Sequence, residues 1–150
     1  IVSIEILEAV GHRYLGTFFK TCDRLLKPAG KLAIQVITIP DQSYESYRRK
    51  SDWIKKYIFP GGHLPSVTAL TAAVTKNTGF LMEQLEDIGI HYARTLKDWR
   101  EKFLRNVDKI KELGFDDDFR RKWIYYLATC EAGFRERAIG DIQVVFRKPA

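Results

Sequence analysis

The order of periodic segments along this chain predicts an α/β fold with a mostly parallel sheet flanked by helices. Three observations carry the prediction. Lys31–Thr38, KLAIQVIT, is nearly continuous in apolar residues, as strands buried on both faces of a parallel sheet are. Ile1–Gly11, IVSIEILEAVG, opens with the β-branched residues Ile1, Val2 and Ile4 and places Glu8 shortly before Gly11. Between these two runs lies a helical stripe, so the first third of the chain reads strand, helix, strand.

The totals narrow the field. A chain of 150 residues with 45% hydrophobic and 13% aromatic content can bury a core and does not read as disordered. No apolar run approaches the ~20 residues of a membrane-spanning helix. Cys22 and Cys130 both fall in helical stripes, with no disulfide framework and no metal-ligand spacing, which favours a reducing cytosol. The net charge of +6 suits an anionic surface or nucleic acid, but no recognition motif accompanies it, so nucleic-acid binding is disfavoured.

The first stretch is expected to be a buried strand that delivers Glu8 at its carboxyl end, where open α/β sheets place their ligand sites. A central strand at residue 1 also suggests the later part of a longer protein. From His12 to Lys27, Tyr14, Phe18, Cys22 and Leu25 recur at helical spacing, widened by Leu15, Phe19 and Leu26, and Pro28 and Gly30 stop the helix. In Lys31–Thr38 the exception is Gln35, on the same face as Ile37 because strand side chains alternate. A buried amide needs partners, so Gln35 is either a satisfied core residue or part of a site.

Pro40–Tyr57 is tyrosine-rich and basic, with a short amphipathic helix expected around Trp53, Ile54 and Tyr57. The Pro and Gly residues of Ile58–Ser66 imply a shaped loop. Ser66 is placed as the N-cap of a helix reaching about Thr78. A third, less regular strand is expected near Phe80–Ile90, followed at once by His91, Tyr92 and Ala93. Arg94–Leu113 carries Trp99, Phe103, Val107 and Ile110 at helical spacing. Asp116–Asp118 form the first turn of a last helix, with the stripe Phe119, Trp123, Leu127, Cys130 and Phe134. Gly140–Arg147 alternates and reads as a final strand at or near a sheet edge, compatible with an antiparallel direction.

Glu8, Gln35 and Tyr92 share a position type near strand ends. If the three strands run the same way, a carboxylate, an amide and a phenol converge on one edge and could hold a small polar ligand or steady a developing charge. Otherwise Glu8 belongs to a helix turn, Gln35 to a core hydrogen bond and Tyr92 to packing. His12, His63 and His91 show no metal spacing and read as structural or solvent-facing. No Gly-rich phosphate loop is present, and neither cysteine has an activating base nearby in sequence.

The segments IVSIEILEAVGHRY at 1–14, LLKPAGKLAIQVITI at 25–39, YIFPGGHLPS at 57–66, IGIHYARTLKDW at 88–99 and YLATCEAGFRERAIGDIQVVF at 126–146 carry a resemblance. In this order they resemble the C-terminal half of the cyclopropane-fatty-acyl-phospholipid synthase family of S-adenosylmethionine-dependent methyltransferases, which includes the mycolic acid cyclopropane synthases. The resemblance implies that residues 1–150 are the C-terminal portion of a single domain, with a Rossmann-like, seven-stranded class I methyltransferase fold. It implies methyl transfer to the cis double bond of an unsaturated phospholipid acyl chain at a membrane surface, then ring closure through a carbocation with bicarbonate as base. Glu8, Gln35, Ile37 (through its backbone) and Tyr92 are the implied catalytic residues, with Ile4 lining the cofactor cleft.

Two departures accompany the resemblance. Gln35 stands where many members carry a histidine, and an amide can donate a hydrogen bond to an anion but cannot titrate. That leaves methylation without ring closure, or on nitrogen, as the alternative reading. The resemblance also places the family's Gly-rich cofactor loop, ribose-binding acid and site cysteine before residue 1. The expectation is therefore that the 150-residue piece alone is inactive. The implied location is cytoplasmic and peripheral to the membrane, with Tyr44–Tyr57 and Arg94–Lys111 as basic, aromatic-bearing contact segments. A homodimer is compatible with the sequence.

Overall fold

The computed structural model describes residues 1–150. The chain divides into two compact units, Ile1–Ile88 with Ile139–Ala150, and Gly89–Ala138. No helix is long and apolar enough to cross a membrane.

The first unit is a four-stranded sheet with its core on one face. Its strands are β1 (Val2–Ile4), β2 (Lys31–Thr38), β3 (Leu81–Asp87) and β4 (Gly140–Arg147), in the spatial order β1-β2-β4-β3. β1 is parallel to β2, and β4 is antiparallel to both β2 and β3. β1, β2 and β3 therefore run the same way and open their carboxyl ends on one edge. The sheet is mixed: three strands share a direction, but the reversed one sits among them. β4 is antiparallel, yet it lies inside the sheet rather than at an edge, because both of its sides carry ladder hydrogen bonds.

Alternation along β2 and β4 sends Leu32, Ile34, Val36, Ile142, Val144 and Phe146 to the core face. There they meet α2 (Leu15–Leu25) and α5 (Val67–Asn77) through Leu15, Phe19, Cys22, Leu70 and Val74. α2 buries Leu15, Phe19 and Cys22, whereas Tyr14 and Leu25 of the expected stripe are exposed, so the buried face is rotated from the one expected. Gly16 lets α2 approach α5 closely, since a Cβ there would stand 2.9 Å from Asn77 Nδ2. Ser66 Oγ accepts the Ala69 N–H at 3.2 Å and starts α5 as expected.

Two strands of this sheet are more exposed than the other two. Within these 150 residues Val2 of β1 is 72% and Ile4 53% exposed. Both lie on the face opposite the core, and β1 pairs on one side only. β3 is an exposed edge strand throughout, which explains its irregular sequence pattern. The basic connection forms two short helices, α3 (Asp41–Arg48) and α4 (Trp53–Tyr57), and α1 (Leu7–Val10) follows β1.

The second unit is helical. α6 (Gly89–Arg105) and α8 (Asp117–Arg135) pack on each other, with α7 (Val107–Glu112) between them in sequence. The expected helix start at Arg94 moves back to Gly89, so Tyr92 is a helical residue and not part of a loop after the strand. Asp116 caps α8 by accepting the Phe119 N–H at 2.8 Å. Buried Glu131 accepts from Arg100 Nε and Nη2 at 3.0 and 2.8 Å and from Arg135 at 2.8 Å. Trp99, Lys102, Phe103, Asn106, Trp123 and Tyr126 line an open groove of about 470 Å³.

Candidate functional site

The site grows from the place where β1 stops. Ala33 N–H donates to the Ile1 carbonyl, and Glu5 N–H donates to the Gln35 carbonyl at 2.8 Å. Glu5 then takes a left-handed φ of 51°, unusual for a residue with a Cβ, and turns the chain into α1. The ladder has run out by Ile37, whose N–H is taken instead by Glu8 Oε1 at 2.7 Å. The other oxygen, Glu8 Oε2, is buried without a hydrogen-bond partner. Burial raises the Glu8 carboxyl above its ordinary range, and the Ile37 N–H opposes the rise.

Gln35 stands in mid-strand on the face opposite the core, its Cα paired with Ile4 on one side and Gln143 on the other. Its amide nitrogen donates to Glu5 Oε1 at 2.9 Å and to Asp141 Oδ2 at 3.1 Å, and its amide oxygen accepts from Gln143 at 2.9 Å. A side-chain amide has two N–H donors, so Gln35 has spent both. Gln35 is therefore a satisfied amide and a hub between carboxylates at once.

Asp141 is paired with Ile37 across β2 and β4, which puts it on the same face as Gln35. It is 0% exposed, and its Oδ1 has no partner. Burial pushes its carboxyl up to about 7, helped by the negative charges of Glu5, Glu8 and Asp87 and opposed by the Gln35 hydrogen bond. No three of these carboxylates are arranged to hold a metal ion.

A second polar cluster lies beside α1. His63 N–H donates to the Glu8 carbonyl at 2.8 Å, tying the Pro- and Gly-rich loop to the site. The Tyr44 hydroxyl bridges His12 Nδ1 at 2.6 Å and His63 Nε2 at 3.0 Å, so one imidazole donates to the phenol and the other accepts from it. Burial lowers His63 to about 4, helped by Lys55, His12 and Arg48, and burial raises Tyr44 to about 12. Lys55 Nζ sits 3.4 Å from the Tyr47 ring centroid.

The sequence-derived residues thus separate. Glu8, Gln35 and Ile37 meet at the carboxyl edge of the sheet, and Ile4 lies beside Gln35 and half exposed. Tyr92 belongs to the second unit, where its ring packs on Trp99 and Phe134, with centroids 6.1 and 5.0 Å away. Sequence reasoning missed Glu5, Asp141, Gln143 and the His12–Tyr44–His63 bridge. One signal pointed to Asp141: it shares a strand and a face with Gln143, and strand pairing aligns that face with Gln35.

The sequence model of the family described as mycolic acid cyclopropane synthetase matches residues 1–144. Over 135 residues the chain is 44% identical to tuberculostearic acid methyltransferase UfaA1 of Mycobacterium tuberculosis, covering 90% of this chain and 32% of that protein. Over 148 residues it is 37% identical to the cyclopropane-fatty-acyl-phospholipid synthase of Escherichia coli, covering 99% and 37%. The crystal structure of mycolic acid cyclopropane synthase CmaA1, complexed with SAH and CTAB, aligns with 99% of the chain at 29% identity and a TM-score of 0.89, covering 54% of that structure. The chain therefore spans about a third of the length of these curated relatives and about half of the solved one. Both the matched sequence and the matched fold place the chain in the mycolic acid cyclopropane synthetase family of S-adenosylmethionine-dependent methyltransferases.

Proposed function

We propose that this chain is the C-terminal portion of an S-adenosylmethionine-dependent methyltransferase acting on the cis double bond of an unsaturated lipid acyl chain. The observation that carries the reading is the set of carboxylates gathered around Gln35 and Ile37 at the carboxyl edge of the sheet, in a chain of this family. Relatives named for methylation and for cyclopropanation of lipids support it.

S-adenosylmethionine supplies an electrophilic methyl group on a cationic sulfonium. The residues present suit it: Ile4 offers an apolar, half-exposed side chain, and the negative charge of Glu5 and Glu8 favours a cation nearby. Methyl addition to an alkene leaves a positive charge on the acyl chain, and prearranged carboxylates lower the free energy of that charge. Exclusion of water from an apolar cleft prevents its capture. Bicarbonate as the base is what the family resemblance implies; in this chain the Ile37 N–H donates to Glu8 and the Gln35 amide to Glu5 and Asp141, and no step is routed through the ion. For Tyr92 the proposed role in the site rests on the family resemblance.

Loss of a proton from the new methyl closes a cyclopropane, and loss from a carbon next to the cation gives a methyl-branched alkene. The Gln35 arrangement and the UfaA1 relative keep the second outcome as the alternative product. We place the working location at the cytoplasmic membrane surface, where such lipids are reached. The test uses the full-length protein with S-adenosylmethionine and phospholipids carrying cis-unsaturated chains. Lipid mass spectrometry should show the gain of one CH2 per chain, and proton NMR distinguishes a ring from a branch. The absence of any lipid product, with transfer to an amine instead, would replace this reading.

A further inference from the structure

α1 is a single turn of helix, Leu7–Val10, with no side chain capping its start. A turn that short does not hold itself in water, so contacts from elsewhere in the fold set where Glu8 points. Leu7 anchors the turn by burial, but apolar packing is not directional. The directional contacts come from two sides. The Ile37 N–H fixes the Glu8 carboxylate at 2.7 Å, and the His63 N–H fixes the Glu8 carbonyl at 2.8 Å.

The second of these contacts belongs to a closed circuit. Beyond Glu8 the chain turns at Gly11, whose φ of 75° suits a residue without a Cβ, and leads directly into His12. His12 Nδ1 meets the Tyr44 hydroxyl at 2.6 Å, the same hydroxyl meets His63 Nε2 at 3.0 Å, and the His63 backbone returns to Glu8. The turn after α1, helix α3 and the Pro- and Gly-rich loop are thereby tied at one phenol. Tyr44 is 6% and His63 9% exposed, so water competes little for these bonds. The loop is fastened at two further points: the Leu64 N–H donates to the Tyr47 hydroxyl at 3.2 Å, and the Ile39 N–H to the Pro65 carbonyl at 3.1 Å.

We propose that the His12–Tyr44–His63 bridge is a positioning device for Glu8. The inference rests on the lipid double-bond reading above and assigns no proton transfer to the three residues. Their work is geometric. They hold α1 at the carboxyl edge of the sheet, so that the Glu8 charge is already in place when methyl addition leaves a cation. Stabilisation of that kind depends on prearranged charge, and a displacement of about 1 Å can cost about a hundredfold in rate. Neither imidazole has to change its protonation state, because the phenol gives its one proton to one ring and accepts from the other.

The test compares variants of the full-length protein, supplied with S-adenosylmethionine and vesicles of a cis-unsaturated phospholipid, at a temperature where circular dichroism shows each one folded. Tyr44→Phe keeps the ring and removes the bridge. It should lower kcat about tenfold or more, while S-adenosylmethionine affinity by calorimetry and the lipid KM stay within about twofold. His12 is exposed, so its replacement spares the core and decides the matter should Tyr44→Phe not fold. His12→Leu should lose as much kcat as Tyr44→Phe. His12→Asn sets an amide close to the position of Nδ1 and should bring kcat back to within about threefold of wild type.

A folded Tyr44→Phe or His12→Leu variant whose kcat falls by less than about tenfold overturns the inference and leaves the lipid reading intact. So does a loss in which S-adenosylmethionine affinity falls in step with kcat, or one that His12→Asn does not relieve, since general loosening of the fold would produce either. A wild-type protein that makes no lipid product overturns the lipid reading and the inference with it.

Discussion

Glu8 Oε1 lies 2.7 Å from the Ile37 nitrogen, at the first position where β2 has lost its β1 neighbour. A side chain has taken over a ladder hydrogen bond. The same carboxylate that carries the site's charge thus closes the sheet edge. Removing it should cost both stability and activity. Glu8→Ala strands a partly buried N–H and is expected to destabilise the protein by about 1–3 kcal/mol. Glu8→Gln restores an oxygen for Ile37 and should recover most of that loss without recovering turnover. Urea unfolding of the full-length protein alongside the lipid assay separates the two effects.

Asp141 makes stability depend on pH. Its carboxyl is raised in the folded protein from an ordinary 3.8 to about 7. Between those values the unfolded chain has released the proton and the folded one keeps it, so stability falls as pH rises, by at most about 1.4 kcal/mol per pH unit. Asp141→Asn should abolish this slope and be more stable than wild type at about pH 8. Denaturant midpoints measured across the window check it.

His63 has the opposite sign. Burial lowers it from 6.5 to about 4, so the unfolded chain takes up a proton that the folded chain refuses. Stability is lost as pH falls below about 6.5, in the window where Asp141 adds to it. The two contributions offset each other there, which leaves Asp141 to dominate between about 6.5 and 7. Tyr44→Phe removes the bridge between the imidazoles and is expected to cost about 1–3 kcal/mol, with ring-nitrogen NMR of His12 and His63 reporting the change.

Glu131 is a buried carboxylate satisfied by two guanidinium groups within the second unit. Arg100→Met breaks the bidentate pair and leaves the charge to Arg135 alone. The expected loss is about 3–5 kcal/mol, concentrated in residues 89–138. Hydrogen exchange should rise along α6 and α8 while the β2–β4 ladder keeps its protection.

Lys31–Thr38, Gly140–Arg147 and the helices capped by Ser66 and Asp116 were legible because each signal is local. Alternation, capping oxygens and Pro or Gly stops act within a few residues of the backbone they shape. The placing of β4 within the sheet was not legible for the complementary reason. Apolar and polar content shows how a strand can pack, and only its neighbours decide whether it does. β4 looks like an edge strand and lies inside the sheet.

The site divides along the same line. From the residues and the family they resemble, the chain announced Glu8, Gln35 and Ile37 as its chemistry, together with the lipid-methylating class they suggest. The tertiary structure decided what those groups are bonded to. Asp141 stands 106 residues from Gln35 along the chain and 3.1 Å away in space. That proximity comes from the antiparallel register of β2 and β4, a non-local pairing that no short motif encodes. The amide that the sequence offered to an anion is held by two carboxylates instead, because β4 returns through the sheet and brings one of them along.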